Sequence, residues 1–160
     1  MPESAHHITV TVNGVAHDQV VMGRLLLVHL LRDTLGLRGT HIGCDSGNCG
    51  ACTVICDGKA IKSCMQLAVQ ADGREIETVE SLAGRDEPVD DLQAAFTRHH
   101  GLQCGYCTPG FLMSAKALLA EQPGLGTEEI RRGLKGNICR CTGYVNIVRA
   151  VEDAARGTGG

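Results

Sequence analysis

The start of the chain alternates apolar and polar residues in the pattern of short β-strands. Residues 7–12 alternate with period two, and Asn13-Gly14 predicts a tight hairpin turn into residues 15–21. Apolar residues then recur at helical spacing over residues 24–36. Further strands are predicted at residues 52–56, 59–64 and 76–79, the first two joined by Asp57-Gly58. The first half therefore predicts a small mixed sheet with one helix packed across it.

The second half of the chain shows helical patterns and helix-start signals. Thr108-Pro109 predicts a helix start, with Thr108 as the N-cap, and Thr127 is predicted to cap the next helix. The predicted helices span residues 91–100, 108–121, 128–135 and 146–155. The segment SLAGRDEP mixes glycine, proline and charges, and it predicts a boundary near residues 80 to 88. We therefore predict an α+β chain with domains at residues 1–80 and 81–160.

The amino-acid composition indicates that the fold needs a covalent or metal cross-link. Hydrophobic residues make up 43% of the 160 residues, but aromatic residues only 2%, and there is no tryptophan. Two small domains with so few large side chains have thin cores, which usually require a covalent or metal cross-link. Nine cysteines can supply one.

Charge and sequence patterns exclude several classes of function. The net charge is −3, from 15 basic and 18 acidic residues spread over both halves, which argues against a nucleic-acid partner or a basic membrane-binding face. No apolar run is long enough to predict a membrane span. The N-terminal residues carry no secretion signal, so we expect a cytoplasmic protein. In that reducing compartment, cysteines favour metal binding over disulfides.

Four cysteines of the first half have the spacing of an iron–sulfur site. They are Cys44, Cys49, Cys52 and Cys64. Four residues separate the first two and two residues separate the next two, as in plant-type 2Fe–2S sites. Glycines at 43, 47 and 50 allow the backbone to wrap closely around a cluster. We therefore predict a 2Fe–2S cluster here, with Cys56 left over as a small buried apolar residue.

A second set of four cysteines lies in the helical half. Cys104 and Cys107 precede one predicted helix, and Cys139 and Cys141 lie between two others. The start of a helix favours a thiolate at Cys107. From the residues alone, these four thiols also suit structural zinc, and a disulfide is a lesser alternative.

Four linked motifs carry a family resemblance. HIGCDSGNCGACTV, KSC at 62–64, QCGYCTPGF at 103–111 and GNICRCTGY at 136–144 occur in this order. The chain resembles, over about residues 7–155, the small iron–sulfur subunit of the molybdenum hydroxylases, the xanthine oxidase family, as in bacterial carbon monoxide dehydrogenase and N-heterocycle hydroxylases. The resemblance implies an N-terminal ferredoxin-like β-grasp domain followed by an all-α four-helix bundle, each holding one 2Fe–2S cluster.

The resemblance also implies a function and partners. The chain would be an electron-transfer subunit with no substrate chemistry of its own. A large subunit would carry molybdopterin, commonly the cytosine dinucleotide form, and oxidise CO, an aldehyde, a purine or another N-heterocycle. A medium subunit would carry FAD, and the complex would be a dimer of heterotrimers. Electrons would pass one at a time from molybdenum through the helical-domain cluster and the ferredoxin-domain cluster to FAD.

Single residues and competing functions complete the expectations. The resemblance implies that Gln103 contacts the pterin, whereas the sequence alone favours a structural glutamine that bonds backbone. Tyr106 and Phe111 are predicted as core residues, and Arg140 either stabilises a cluster's charge, contacts the large subunit or is solvated. A free soluble two-cluster electron carrier is the alternative function, and a zinc-containing sensor or scaffold is a third.

Overall fold

The chain contains one five-stranded mixed sheet. In the computed structural model, residues 4–83 and 89–157 are described. The strands are β1 (Ala5–Val12), β2 (Val15–Met22), β3 (Thr53–Cys56), β4 (Lys59–Lys62) and β5 (Glu75–Glu77). Their order is β2-β1-β5-β3-β4, and only β1 and β5 are parallel. Both predicted hairpins are confirmed, because Asn13-Gly14 and Asp57-Gly58 have the positive φ angles of tight turns.

The helix predicted over residues 24–36 is shorter and less regular than expected. The helix begins only at Leu27, because Arg24 lies in a turn and Leu26 is extended and forms a β-bridge with Leu67. Helix α1 (Leu27–His29) then continues as a π-helical turn, Leu30–Thr34, in which the Leu35 N–H donates to the Leu30 carbonyl at 3.0 Å. This element still buries leucines against the sheet.

Four helices follow in the described part of the second half: α2 (Asp91–Arg98), α3 (Thr108–Glu121), α4 (Thr127–Leu134) and α5 (Tyr144–Gly157). The prediction of threonine N-caps is wrong at both sites, because Thr108 and Thr127 are the first helical residues. Gly126 is the N-cap of α4, and its N–H donates to the Glu129 carboxylate at 2.8 Å. That carboxylate satisfies the N–H group of the N-cap residue, as the Glu of a capping box does.

The two halves have separate hydrophobic cores that meet along β3 and α3. Leucines and valines form the core beneath the sheet. The helical core contains both phenylalanines, Phe96 and Phe111, and also takes in Ile55 from β3. An ion pair at 2.7 Å between Lys116 and Glu77 spans the same contact. The α+β class is confirmed. Residues 84–88 of the predicted boundary segment lie outside the described residues.

Candidate metal centres

The first cysteine set lies at one end of the sheet. Cys44, Cys49 and Cys52 belong to the loop between the π-helical turn and β3, and Cys64 lies in a 3-10 turn after β4. The Cys49 N–H donates to the Cys44 sulfur at 3.3 Å. Cys52 and Cys64 are both buried and lie within one small cluster around Val28. The fold therefore brings the predicted ligands together from separate elements.

The thiols of Cys44 and Cys64, the first and last cysteines of this set, differ in pKa. Burial raises the pKa of the Cys64 thiol to about 11, and a hydrogen bond with Cys52 adds to the rise. Hydrogen bonds from Ser46 and from the Cys49 backbone lower the pKa of the exposed Cys44 thiol to about 6. Cys64 thus favours its protonated form until a cation compensates the buried charge.

The loop has a cradle that side chains would fill. A Cβ added to Gly43 would lie 2.9 Å from the Cys49 sulfur. Gly47 and Gly50 both adopt φ of +74°, which other residues rarely tolerate. Lys62 donates from its Nζ to the Gly47 carbonyl at 2.6 Å, which places a positive charge beside the loop. The donor set and the cradle fit a 2Fe–2S cluster.

The second cysteine set joins two interhelical loops. Cys104 and Cys107 lie between α2 and α3, and Cys139 and Cys141 lie between α4 and α5. The thiols approach in pairs, Cys107 with Cys139 and Cys104 with Cys141. The Gly143 N–H donates to the Cys139 sulfur at 3.4 Å. A 2Fe–2S cluster would be held by four thiolates, which these two pairs could supply.

Burial acts against the expected helix-start effect at Cys107. Cys107 occupies the N-cap position of α3, which the sequence had assigned to Thr108, and burial raises the pKa of its thiol to about 12. The hydrogen bond with Cys139 and the nearby Cys139 and Cys104 charges act in the same direction. Burial therefore favours the neutral thiol at Cys107, and a bound cation would offset the cost of forming the thiolate.

Two buried hydroxyl groups near the cysteine sets in sequence lack a hydrogen-bond partner among the residues that the structure describes. The Oγ1 atoms of Thr40 and Thr108 have no hydrogen-bond partner within the described chain. Thr40 comes shortly before Cys44, and Thr108 directly follows Cys107. An unsatisfied buried hydroxyl costs about 1–3 kcal/mol. The sulfur atoms of a cluster are acceptors that such hydroxyls can use.

The cysteines do not converge as closely as a single ion requires. In residues 4–83 and 89–157, no three His, Cys, Asp or Glu side chains are placed to hold one metal ion. The ligand assignment of all eight cysteines remains a prediction, because the structure brings the thiols together without fixing which group they bind.

The remaining candidate residues have mixed outcomes. Tyr106 is not a core residue: it is 50% exposed, stacks on His41, and donates from its hydroxyl to the Ile42 carbonyl at 2.7 Å. Phe111 and Cys56 are buried, as predicted. Tyr106 thus belongs to the second cysteine loop but contacts the first, which no sequence signal indicated.

Gln103 and Arg140 lie at the surface beside the second set. The Gln103 Nε2 donates to the Cys141 carbonyl at 3.1 Å, so the glutamine joins the two interhelical loops. This bond matches the structural role that the sequence alone favours. Contact of Gln103 with a pterin, and the role of Arg140, remain predictions.

Known families match both halves of the chain. Residues 10–83 match the family described as 2Fe-2S iron-sulfur cluster binding domain, and residues 78–152 match the 2Fe-2S binding domain family. The small subunit of nicotine 6-hydroxylase from Paenarthrobacter nicotinovorans is 50% identical, over 96% of this chain and 92% of its own. The chain belongs to the small iron–sulfur subunits of the molybdenum hydroxylases.

Other members of these small subunits agree with this assignment. Caffeine dehydrogenase subunit gamma from Pseudomonas sp. (strain CBB1) is 49% identical over 95% of this chain and 92% of its own. A chain of quinoline 2-oxidoreductase from Pseudomonas putida 86 superposes with a TM-score of 0.91 at 44% identity, covering 96% of this chain and 95% of that one. As a small subunit, the chain is part of an oxidoreductase complex, transfers electrons, and carries two 2Fe–2S binding regions. None of the helices described in it has the length and apolar character to cross a bilayer.

Proposed function

We propose that this chain relays electrons, one at a time, between a molybdopterin-binding large subunit and an FAD-binding medium subunit. Residues 1–80 form a ferredoxin-like β-grasp domain and residues 81–160 a four-helix bundle in this proposal, and the complex acts in the cytoplasm. Cys44, Cys49, Cys52 and Cys64 hold one 2Fe–2S cluster, and Cys104, Cys107, Cys139 and Cys141 hold the other. Each cluster, when bound, accepts and returns one electron.

The observation that carries this proposal is the direct contact between the two cysteine loops. The Ile138 N–H, next to Cys139, donates to the carbonyl of Cys49 at 2.8 Å. Tyr106, between Cys104 and Cys107, contacts the loop that leads to Cys44. Electron transfer requires the two clusters to be close. These contacts hold the first cysteine loop, around Cys44 and Cys49, against the loops of the second set.

The direction of transfer that we propose is the one that the family resemblance implies. We propose that the helical-domain cluster lies nearer the molybdenum, that Gln103 contacts its pterin, commonly the cytosine dinucleotide form, and that the ferredoxin-domain cluster faces the flavin. The complex is then a dimer of heterotrimers. Because the three relatives described above are named for nicotine, caffeine and quinoline, an N-heterocycle is our preferred substrate class over CO or an aldehyde. Residues of the large subunit select it.

Isolation of the native complex tests the partner assignment. The chain is purified gently from its host, co-purifying chains are identified by mass spectrometry, and molybdenum, iron and FAD are quantified. Large and medium chains in equal amounts with this one support the relay. Recovery of the chain alone, loaded with iron and active towards several acceptors, supports the free-carrier alternative and overturns the proposal.

Cysteine variants test the ligands, with an internal control. Cys64→Ser and Cys139→Ser are each expected to lose one of the two EPR signals of the reduced protein and about two irons. Cys56→Ala is the matched control, because Cys56 is equally buried but lies outside both sets, and it is expected to keep all four irons. Zinc with a single remaining EPR signal in the unmodified protein would contradict the second cluster.

A further inference from the structure

The contact between the two halves centres on one buried side chain, Asn137. It is 6% exposed and lies two residues before Cys139. Its Nδ2 donates to the Gly50 carbonyl at 3.0 Å, and its Oδ1 accepts from the Ser114 hydroxyl at 2.8 Å. Gly50 follows Cys49 directly. The asparagine therefore joins the backbone beside one predicted ligand to the backbone beside another.

The bond from Asn137 lies next to a backbone bond between the same segments. The Ile138 N–H donates to the Cys49 carbonyl at 2.8 Å. Two consecutive residues, 137 and 138, thus bond to two consecutive carbonyls, 50 and 49. This pairing fixes both the separation of the segments and their register, because a shift by one residue would break both bonds.

Close packing around Gly50 prevents the two segments from shifting relative to each other. A Cβ at Gly50 would lie 2.6 Å from the Gly136 carbonyl oxygen and 2.7 Å from the Asn137 Nδ2. On its other side, a Cβ at Gly110 would lie 2.2 Å from the Gly50 oxygen. That oxygen also accepts bonds from the N–H and hydroxyl of Thr53. Such density is typical of a segment whose position must be held within a fraction of an ångström.

We propose that Asn137 is a positioning residue that fixes the distance between the two clusters, together with the adjacent bond from the Ile138 N–H to the Cys49 carbonyl. The inference rests on the proposed function and deepens it. With both clusters bound, one electron would pass from the reduced cluster to the oxidised one, with no bond broken and no proton moved. Asn137 acts by holding the loops, not by accepting the electron.

Three variants separate the bonds that Asn137 makes. Asn137→Asp has nearly the same shape and still accepts from Ser114, but it presents an oxygen instead of an N–H to the Gly50 carbonyl. Asn137→Ala removes both bonds. Ser114→Ala is the matched control, since it removes the serine bond and leaves the bond to Gly50 intact.

The full chain is purified with its clusters, and iron content is measured first. The fully reduced protein is then examined by EPR for magnetic interaction between its two clusters. The half-reduced protein is followed by rapid freeze-quench EPR for electron exchange between them. We expect Ser114→Ala to match the unmodified protein, whereas Asn137→Asp and Asn137→Ala keep both signals but show a weaker interaction and a severalfold slower exchange.

Each outcome decides a different statement. If the Asn137 variants keep both clusters with unchanged interaction and exchange, the positioning role is overturned while the relay stands. The role is also overturned if neither Asn137 variant retains both clusters, because the residue is then required for assembly. If the unmodified protein itself lacks one of the two signals, it is the proposed function that fails.

Discussion

Replacing Gly110 with alanine is expected to destabilise the chain, although the same change in a solvent-exposed helix stabilises by up to about 1 kcal/mol. Gly110 is buried in the first turn of α3. A Cβ there would lie 2.2 Å from the Gly50 carbonyl oxygen and 3.0 Å from the Ala51 Cα, and both are backbone atoms. The oxygen contact is about 1.2 Å shorter than the 3.4 Å at which ordinary van der Waals contact begins.

The size of the effect follows from what must move. Overpacking of this kind costs about 1–3 kcal/mol, and displacing the Gly50 carbonyl weakens hydrogen bonds worth about 0.5–1.5 kcal/mol each. After the helix-propensity gain, a net loss of about 2 kcal/mol remains. For a chain of this size that corresponds to a fall of about 4–8 °C in the unfolding midpoint.

The assay is thermal unfolding at one fixed scan rate, followed by cluster absorbance and far-UV circular dichroism, because cluster loss makes unfolding irreversible. Gly157→Ala is the control: it lies at the end of α5, where an added Cβ meets nothing within 4 Å. Its midpoint should stay unchanged. At equal iron content, the unfolding midpoint of Gly110→Ala could instead equal or exceed that of the control. That result would refute the claim that the Gly50 backbone leaves no room for a Cβ at position 110 of α3.

Two further predictions concern contacts at the surface. Tyr106→Phe keeps the ring but removes its hydroxyl bond to the Ile42 carbonyl. The free energy of unfolding should therefore fall by about 1 kcal/mol, and hydrogen exchange in the loop around Ile42 should become faster. Unchanged exchange in that loop would show that the hydroxyl bond does not hold it in place. The hydrogen bonds from Arg98 and His99 hold the pKa of the Asp153 carboxyl below its usual 3.8, so its stabilising effect is present at neutral pH and is lost as the pH falls below about 4. The midpoint difference between Asp153→Asn and the unmodified protein should therefore shrink on acidification, and a constant difference would show that the ion pair is not its source.

Local patterns were sufficient for much of the fold. The hairpins were predictable because Asn13-Gly14 and Asp57-Gly58 favour the left-handed turn that a two-residue loop requires. The close cysteine pairs 104/107 and 139/141 were recognisable because their spacing is local, whereas joining these distant pairs into one set of four relied on the number of remaining cysteines and on the family resemblance. The late start of helix α1 was not predictable from local patterns, because it depends on the pairing of Leu26 with Leu67, which lies far along the chain. Helical periodicity alone does not indicate that a β-bridge replaces the first turn of the helix.

The contact between the halves was the part that the sequence did not indicate. Asn137 and Gly50 are 87 positions apart, and no periodicity relates them. A partial signal was present in Gly50 and Gly110, since buried glycines often mark close approach of two backbones. The prediction for Tyr106 failed because an aromatic residue is normally assigned to a core; here its ring lies on His41, and its hydroxyl reaches backbone.

The bond between Asn137 and Gly50 also bears on how the protein is made. Synthesis runs from the N-terminus, so Gly50 leaves the ribosome 87 residues before the side chain that binds its carbonyl. At about 5–20 residues per second, that delay is roughly 4–17 s. During this time the loop around Cys49 lacks its final contacts. Iron delivered to a nascent chain would therefore meet an unfinished first site, and we expect that site to reach its final form only after Asn137 has been translated.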